Sequence, residues 1–214
     1  MLPNVIRKGK QLFTESLVPG DKSFAKSIIK KKGKEFREWN PYRSKAAAAI
    51  LSGIRDFPLK KGNKVLYLGI ASGSTASFFS DIVGKDGVIY GVEISERCMR
   101  DLNPIAEKRG NIVPILADAR KPETYGWVEK VDLVFQDVAT NDQSEIIIRN
   151  CREFLKPDGF AMLAIKSRSI NVVKKPEQIY KEQLKILSGY FKIIDKVRLD
   201  PYEKDHLFVL MRIK

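Results

Sequence analysis

Apolar and polar positions divide the chain into two differently patterned stretches. Residues 1–40 show no helical periodicity. Short apolar steps (Val5-Ile6, Leu12-Phe13, Leu17-Val18, Ile28-Ile29) are separated by Lys, Gly and Pro. The turn formers Pro19-Gly20-Asp21-Lys22 and Lys32-Gly33-Lys34 punctuate them. This pattern predicts a small set of antiparallel strands, ended by Asn40-Pro41-Tyr42. A helix is expected next, from near Ser44 through Ala46 and Ala49 to Ile54.

From residue 64 onward, strand-length apolar runs alternate with amphipathic stretches. Strands are expected at 65–68, 87–92, 112–116, 131–135, 159–165, 191–197 and 207–211. Helices are expected at 74–83, 96–107, 143–155 and 176–187. Such alternation implies a parallel sheet covered on both faces. The linker 198–205 is too short for a crossover, so the last strand should run antiparallel to its neighbour. The expected fold class is α/β, a Rossmann-like sheet of seven mostly parallel strands with a reversed last one. The expected organisation is a small, basic, β-rich unit at 1–55 followed by the Rossmann-like unit at 56–214.

Composition narrows the partners. Of 214 residues, 43% are hydrophobic, enough for a sizeable core, and no apolar run is long enough to span a bilayer. The start, Met1-Leu2-Pro3-Asn4, carries no apolar export segment, so the expected location is cytoplasmic. Cys98 and Cys151 have no C-x-x-C spacing and are expected to be reduced thiols. With His206 as the single histidine, no metal site is expected. The net charge is +13, and residues 1–61 alone hold 15 Lys/Arg against 5 Asp/Glu. A basic first quarter on a near-balanced remainder suggests a polyanionic partner. A Lys-rich, solvated surface of a heat-adapted protein is the plainer alternative.

The loop Gly69-Ile70-Ala71-Ser72-Gly73-Ser74-Thr75 follows the first buried strand and opens a helix. Ligands of open α/β sheets bind beyond the carboxyl ends of the strands. Gly69 and Gly73 would let the backbone approach a ligand, and the free N–H groups of Ser74, Thr75 and Ala76 could hold a carboxylate. Glu93 ends the second strand, where an acid accepts hydrogen bonds from both hydroxyls of an adenosine ribose. Asp118 follows the third strand in Ala117-Asp118-Ala119 and could accept from an adenine amino group, with Ile94 as an apolar wall. Singly, either acid is an ordinary strand-end residue. Together with a G-x-A-x-G rather than a G-x-G-x-x-G loop, they favour S-adenosylmethionine over a nicotinamide dinucleotide. Seven strands with a reversed last one is also the layout of Rossmann-like, class I methyltransferases.

Asp137 and Lys166 follow the fourth and fifth strands, His206 begins the reversed last strand, and Lys45 opens the helix leading into the sheet. All four could therefore converge at one edge. Methyl transfer to a hydroxyl needs a base; a lysine serves only when neutral, a form that a nearby second cation and partial burial favour. An aspartate can orient lysine and hydroxyl. Taken singly, each is more often a plain surface group.

The segments Tyr42-Arg43-Ser44-Lys45-Ala46-Ala47-Ala48, Leu68 to Thr75, Tyr90-Gly91-Val92-Glu93, Asn111 to Ala119, Asp137-Val138-Ala139, Ala164-Ile165-Lys166-Ser167-Arg168-Ser169-Ile170 and Pro201-Tyr202-Glu203-Lys204-Asp205-His206 change that balance. With them the chain resembles the fibrillarin family, in its archaeal form, from end to end. The resemblance implies an S-adenosylmethionine-dependent RNA ribose 2′-O-methyltransferase. It puts the family's catalytic Lys-Asp-Lys-His set on Lys45, Asp137, Lys166 and His206. Either lysine could take the proton; Lys166 is the favoured base, with His206 fixing geometry. It also implies cofactor contacts by Gly69, Ala71, Gly73, Ser74, Thr75, Ala76, Glu93, Ile94, Asp118, Ala119, Asp137, Val138, Ala139, Thr140 and Gln143. Where fibrillarins read Asp-Val-Ala-Gln-Pro, this chain reads Asp137-Val138-Ala139-Thr140-Asn141, and Ile94 stands where an aromatic is common. The lack of a Gly/Arg-rich tail points to the archaeal type.

The implied partners are a box C/D guide RNA with its target rRNA or tRNA, a Nop-family scaffold protein and a kink-turn-binding protein of the ribosomal type. Base pairing would then select the nucleotide, and the isolated chain would bind and methylate RNA poorly. Two other readings are a stand-alone methyltransferase with a protein acceptor, and a non-catalytic RNA-binding scaffold component.

Overall fold

The computed structural model describes residues 4–214; Met1, Leu2 and Pro3, on which the export-signal expectation and the start of the 1–55 unit fall, lie outside the described residues. Four short strands come first: β1 (Val5–Lys8), β2 (Gln11–Glu15), β3 (Ile28–Lys31) and β4 (Lys34–Trp39). They form an antiparallel sheet in the order β1-β2-β4-β3. Lys32-Gly33 is the two-residue turn between β3 and β4, since Lys31 pairs with Lys34. Two local expectations need correction. Leu17-Val18 is not a strand but a bend, because the Leu17 N–H is drawn off to the Asp81 carboxylate at 3.0 Å. β4 forms where no strand was expected, in the charged segment Lys34-Glu35-Phe36-Arg37-Glu38-Trp39.

The 3-10 turn Pro41–Arg43 leads into α1 (Lys45–Leu51), capped by the Ser44 hydroxyl accepting from the Ala47 N–H at 3.4 Å. Ala46, Ala47, Ala48 and Ala49 are fully buried, and their small side chains let the helix backbone lie close to the core. The helix stops at Leu51, one turn short of Ile54, where Ser52 turns the chain toward Gly53.

The large sheet contains β5 (Lys64–Leu68), β6 (Val88–Glu93), β7 (Ile112–Leu116), β8 (Val131–Gln136), β9 (Leu155–Lys166), β10 (Phe191–Arg198) and β11 (His206–Ile213), in the order β10-β11-β9-β8-β5-β6-β7. β11 alone is reversed, antiparallel to both β9 and β10. The helices are α2 (Ser74–Val83), α3 (Glu96–Arg109), α4 (Gln143–Phe154), α5 (Ser167–Ile170) and α6 (Pro176–Ser188). β9 starts at Leu155, straight after α4, four residues earlier than expected. Side chains alternate across the sheet, so Tyr67, Phe135 and Phe208 enter one core and Leu66, Leu68 and Val134 the other. The first core also takes Val5, Leu12 and Trp39 from the small sheet, and Trp39 stacks on Phe78 of α2 at 5.5 Å.

A buried ionic network ties the small sheet to α2 and α3. Asp81 of α2 lies 2.7 Å from Arg37 of β4 and 2.8 Å from Arg109 of α3, and the Thr14 hydroxyl donates to it at 2.6 Å. This explains why β4 hides in the sequence: Arg37 is at a core position but paired. Glu38 is also buried, accepting from Gln11 and Ser27. Burial pushes the Arg109 guanidinium down to about 10, with Asp81 opposing that shift. Among the described residues no helix is long and apolar enough to cross a membrane, and no His/Cys/Asp/Glu group is arranged to hold a metal. Cys98 and Cys151 are both free thiols.

Candidate active site

Strand order reverses between β5 and β8, which opens a crevice at their carboxyl ends. The crevice is a cavity of about 360 Å³, within the range of small-molecule clefts. Its wall includes Gly69, Ala71, Glu93, Ile94, Asp118, Ala119, Asp137, Val138, Ala139 and Thr140, all expected from the sequence.

The loop after β5 is built around its glycines. At Gly69, φ is +77° and an added Cβ would stand 3.1 Å from Val138 and 3.2 Å from the Asp137 backbone. At Gly73, φ is +86° and a Cβ would meet Leu102 at 2.7 Å. No other residue would fit either place without displacing the wall. Glu93 is held by two backbone donors, Ala71 N–H and Ser95 N–H, both at 2.9 Å. One carboxylate thus fastens the loop after β5 to the start of α3, and it still lines the cavity. Asp118 accepts from Arg120 N–H at 2.9 Å. Ile94 is 64% exposed, an apolar surface at the mouth.

Not every expected residue reaches the cavity wall. The side chains of Ser74, Thr75 and Ala76, like Gly73, are not part of the wall: Ala76 is buried, and the Thr75 hydroxyl donates to Ser44 at 2.9 Å. Gln143 is buried and spent on backbone, its amide donating to the Thr140 carbonyl at 2.7 Å and its oxygen accepting from Lys166 N–H at 2.9 Å. It therefore ties the Thr140 loop to the end of β9. Below the loop, burial pushes the Tyr67 phenol well above its ordinary value, with Asp137 adding to the effect.

Asp137 belongs to both the cavity and a charged cluster. Its N–H donates to Leu68 O at 2.9 Å, which fixes it at the β5/β8 junction. Lys166 Nζ stands 2.8 Å from Asp137 Oδ1 and donates to the Asp137 carbonyl at 2.7 Å. Lys45 Nζ stands 3.5 Å from Asp137 Oδ2. One carboxylate thus bridges two ammonium groups, and all three side chains are less than one-fifth exposed. His206 pairs directly with Lys166 across β9 and β11, which sets the two side chains on one face. Its Nδ1 is 2.7 Å from the Lys204 carbonyl, so the imidazole is anchored to its own turn rather than to Asp137.

Several residues of the site were not among those expected from the sequence. Glu203 lies 3.6 Å from Lys45 Nζ, and only its proximity to His206 in sequence hinted at it. Arg120 lines the cavity and grips Asp142 through two bonds of 2.8 and 2.9 Å, joining the loops after β7 and β8. This ion pair also holds the Asp142 carboxyl below the usual range. Cys98 of α3 lines the cavity too, as do the apolar Val92, Ala117 and Ile146.

Known proteins share the sequence and fold of this chain. The fibrillarin family model matches residues 4–214. A fibrillarin-like rRNA/tRNA 2′-O-methyltransferase of Pyrococcus furiosus is 52% identical over 204 residues, spanning 95% of this chain and 90% of the relative. The crystal structure of Aeropyrum pernix fibrillarin with natively bound S-adenosyl-L-methionine superposes with a TM-score of 0.88 at 47% identity, covering 97% of this chain and 92% of that one. A fibrillarin/Nop5p complex superposes with a TM-score of 0.91 at 40% identity, covering 100% of this chain and 99% of the other. Match to the family model along nearly the whole length, high identity to its members and the shared seven-stranded architecture together establish that this chain belongs to the fibrillarin family.

Proposed function

We propose that this chain is an S-adenosylmethionine-dependent RNA ribose 2′-O-methyltransferase, acting on rRNA and tRNA targets within a guide-RNA particle. The observation that carries the reading is Asp137, which lines the cavity and at the same time bridges Lys45 and Lys166. A cofactor site and a proton-handling cluster thereby share one residue.

The residues present suit the cofactor. Glu93 keeps lone pairs toward the cavity beyond its two backbone donors and would take the ribose hydroxyls. Asp118 would accept from the adenine amino group, with Ile94 and Ala119 as apolar walls. The N–H groups of Ser74, Thr75 and Ala76, at the start of α2, have no acceptor within the helix and would attract the methionyl carboxylate. When bound, S-adenosylmethionine supplies an electrophilic methyl group to an attacking oxygen.

The protein's own contribution is to hold the acceptor hydroxyl and remove its proton. We assign acceptance of the proton to Lys166 Nζ; Asp137 orients Lys166 and the hydroxyl, and Lys45 is the second amine held at the same carboxylate. His206, opposite Lys166, sets the local shape of the acceptor pocket. The basic stretch 1–61 supports contact with RNA phosphates, and with it the treatment of residues 1–55 as an RNA-facing unit distinct from 56–214. A Nop-family scaffold is the protein partner, by the likeness to fibrillarin in its complex with Nop5p. A box C/D guide RNA and a kink-turn-binding protein complete the proposed particle.

The test is transfer of label from S-adenosylmethionine to guide-paired RNA with both partner proteins present. The control RNA carries a 2′-O-methyl group at the guide-selected nucleotide. Label on the first RNA alone is expected. Label on both, or on protein, would contradict the proposal.

A further inference from the structure

The loop after β7 carries a carboxylate, Asp118, and a guanidinium, Arg120, and both line the cavity. Among the described residues, Asp118 takes one hydrogen bond from the protein, from Arg120 N–H to Oδ1 at 2.9 Å, and its Oδ2 stays open. The Arg120 guanidinium could contend for this carboxylate, since its Nη1 stands 3.9 Å from Asp118 Oδ1. It comes no closer because Asp142 holds it from the other side, accepting from Nε at 2.8 Å and from Nη2 at 2.9 Å. A two-pronged pair of this kind fixes the plane of the guanidinium as well as its place.

Local structure does not account for the pair. Asp142 is the N-cap of α4, where a carboxylate ordinarily accepts from the free N–H groups of the first turn, yet it makes no such bond. Nor does the loop backbone depend on it. The Ala119 carbonyl accepts from the Asn150 amide at 2.8 Å and the Arg120 carbonyl from Arg149 Nη1 at 2.5 Å, both reaching over from α4. The capping oxygens are thus spent on a side chain whose backbone is already fixed. Asp118 and Asp142 are the two carboxylates within 4 Å of the guanidinium among the described residues, so freeing it from one leaves it the other.

We propose that Asp142 is a positioning residue for cofactor recognition: it withholds Arg120 from Asp118 and so keeps Asp118 free to accept from the adenine amino group, an inference that rests on the Asp118 contact proposed above. A carboxylate paired with an internal guanidinium would have to give up that ion pair before accepting from a neutral amine. An open carboxylate has no such competitor, and a ligand without the amino group leaves it unpaired. Selection for adenine over a bare purine therefore depends on where the Arg120 side chain is held, and Asp142 holds it.

Titration calorimetry on the full chain tests this, comparing S-adenosylhomocysteine with its 6-deamino analogue, in which purine replaces adenine. Wild type should prefer the adenosyl ligand about 10- to 150-fold, the range for a hydrogen bond to a charged group. Asp142→Asn keeps the volume but loosens Arg120, and the preference should fall at least about 5-fold. Arg120→Met/Asp142→Asn removes the competitor and should return the preference to the wild-type range. If the pair merely braced the wall, the double variant would be as impaired as the single one or more so. A wild-type preference in Asp142→Asn, or no recovery in the double variant, would overturn the inference. A preference that survives Asp118→Ala would instead sink the proposed Asp118 contact, and the role of Asp142 with it.

Discussion

Replacing Asp81 with Asn tests whether the small sheet is locked to the large one by buried charge. Asp81, Arg37 and Arg109 have no side-chain exposure, and the single carboxylate faces both guanidinium groups. The substitution keeps volume and removes the charge. Arg37 is then left with neutral acceptors alone, among them the Ser77 carbonyl and hydroxyl and the new amide oxygen, while Arg109 retains Asp21 at 3.5 Å. Breaking a buried ion pair from one side costs about 3–5 kcal/mol, because the remaining charge stays out of water. For a chain of this size that corresponds to a fall of about 6–20 °C in Tm. Thr14→Val, which deletes only the 2.6 Å hydroxyl donor, should cost less, about 1–3 kcal/mol. Thermal and urea unfolding of the three proteins measure both. A loss below 1 kcal/mol in Asp81→Asn would refute the idea that the network fastens the sheets.

Glu93→Ala should weaken S-adenosylmethionine binding about 10- to 100-fold, since the carboxylate both offers acceptors and fastens Ala71 and Ser95. Titration calorimetry reads this directly, and an unchanged Kd would remove Glu93 from the cofactor site. Asp21 supplies a pH dependence: burial would raise its carboxyl, but bonds from Ser23 and Lys108 outweigh that and hold it down to about 2. Because the folded value lies below the unfolded value of 3.8, the stabilisation is fully present above 3.8 and is lost as pH falls toward 2. Urea unfolding from pH 5 to 2 should therefore show a smaller acid-induced loss in Asp21→Asn than in wild type; parallel curves would contradict the assignment.

The alternating half of the chain was legible because its inner strands are buried on both faces and its helices are amphipathic, so most elements carry their own period. The reversed last strand followed from the short linker 198–205 and is seen in the β9-β11-β10 order. The basic first stretch was harder. β4 was invisible because Arg37 and Glu38 occupy buried positions that only partners in α2, β2 and the Ser27 loop make tolerable. Leu17-Val18 misled because local apolarity promised a strand, whereas Asp81, 64 residues away in sequence, captures the Leu17 N–H. In the site, strand-end acids were readable from position alone. Gln143 was named through the resemblance, but its buried role as a backbone tie was not readable, because it depends on where β9 ends. Nor was Glu203, a carboxylate in an ordinary-looking turn until the fold brings Lys45 to it.

Lys45, Asp137 and Lys166 are proposed to act together in ribose 2′-O-methylation beside the cavity that Asp137 lines. Nucleoside mass spectrometry of guide-paired RNA tests this most directly, after reaction with wild-type, Lys166→Ala and Asp137→Asn proteins whose cofactor binding has been measured first. A 2′-O-methylated nucleoside at the guided position is expected with wild type, and a rate lower by about 10²- to 10⁴-fold with either variant. Wild-type rates in both variants, or a methyl group found on a base rather than on ribose, would contradict it.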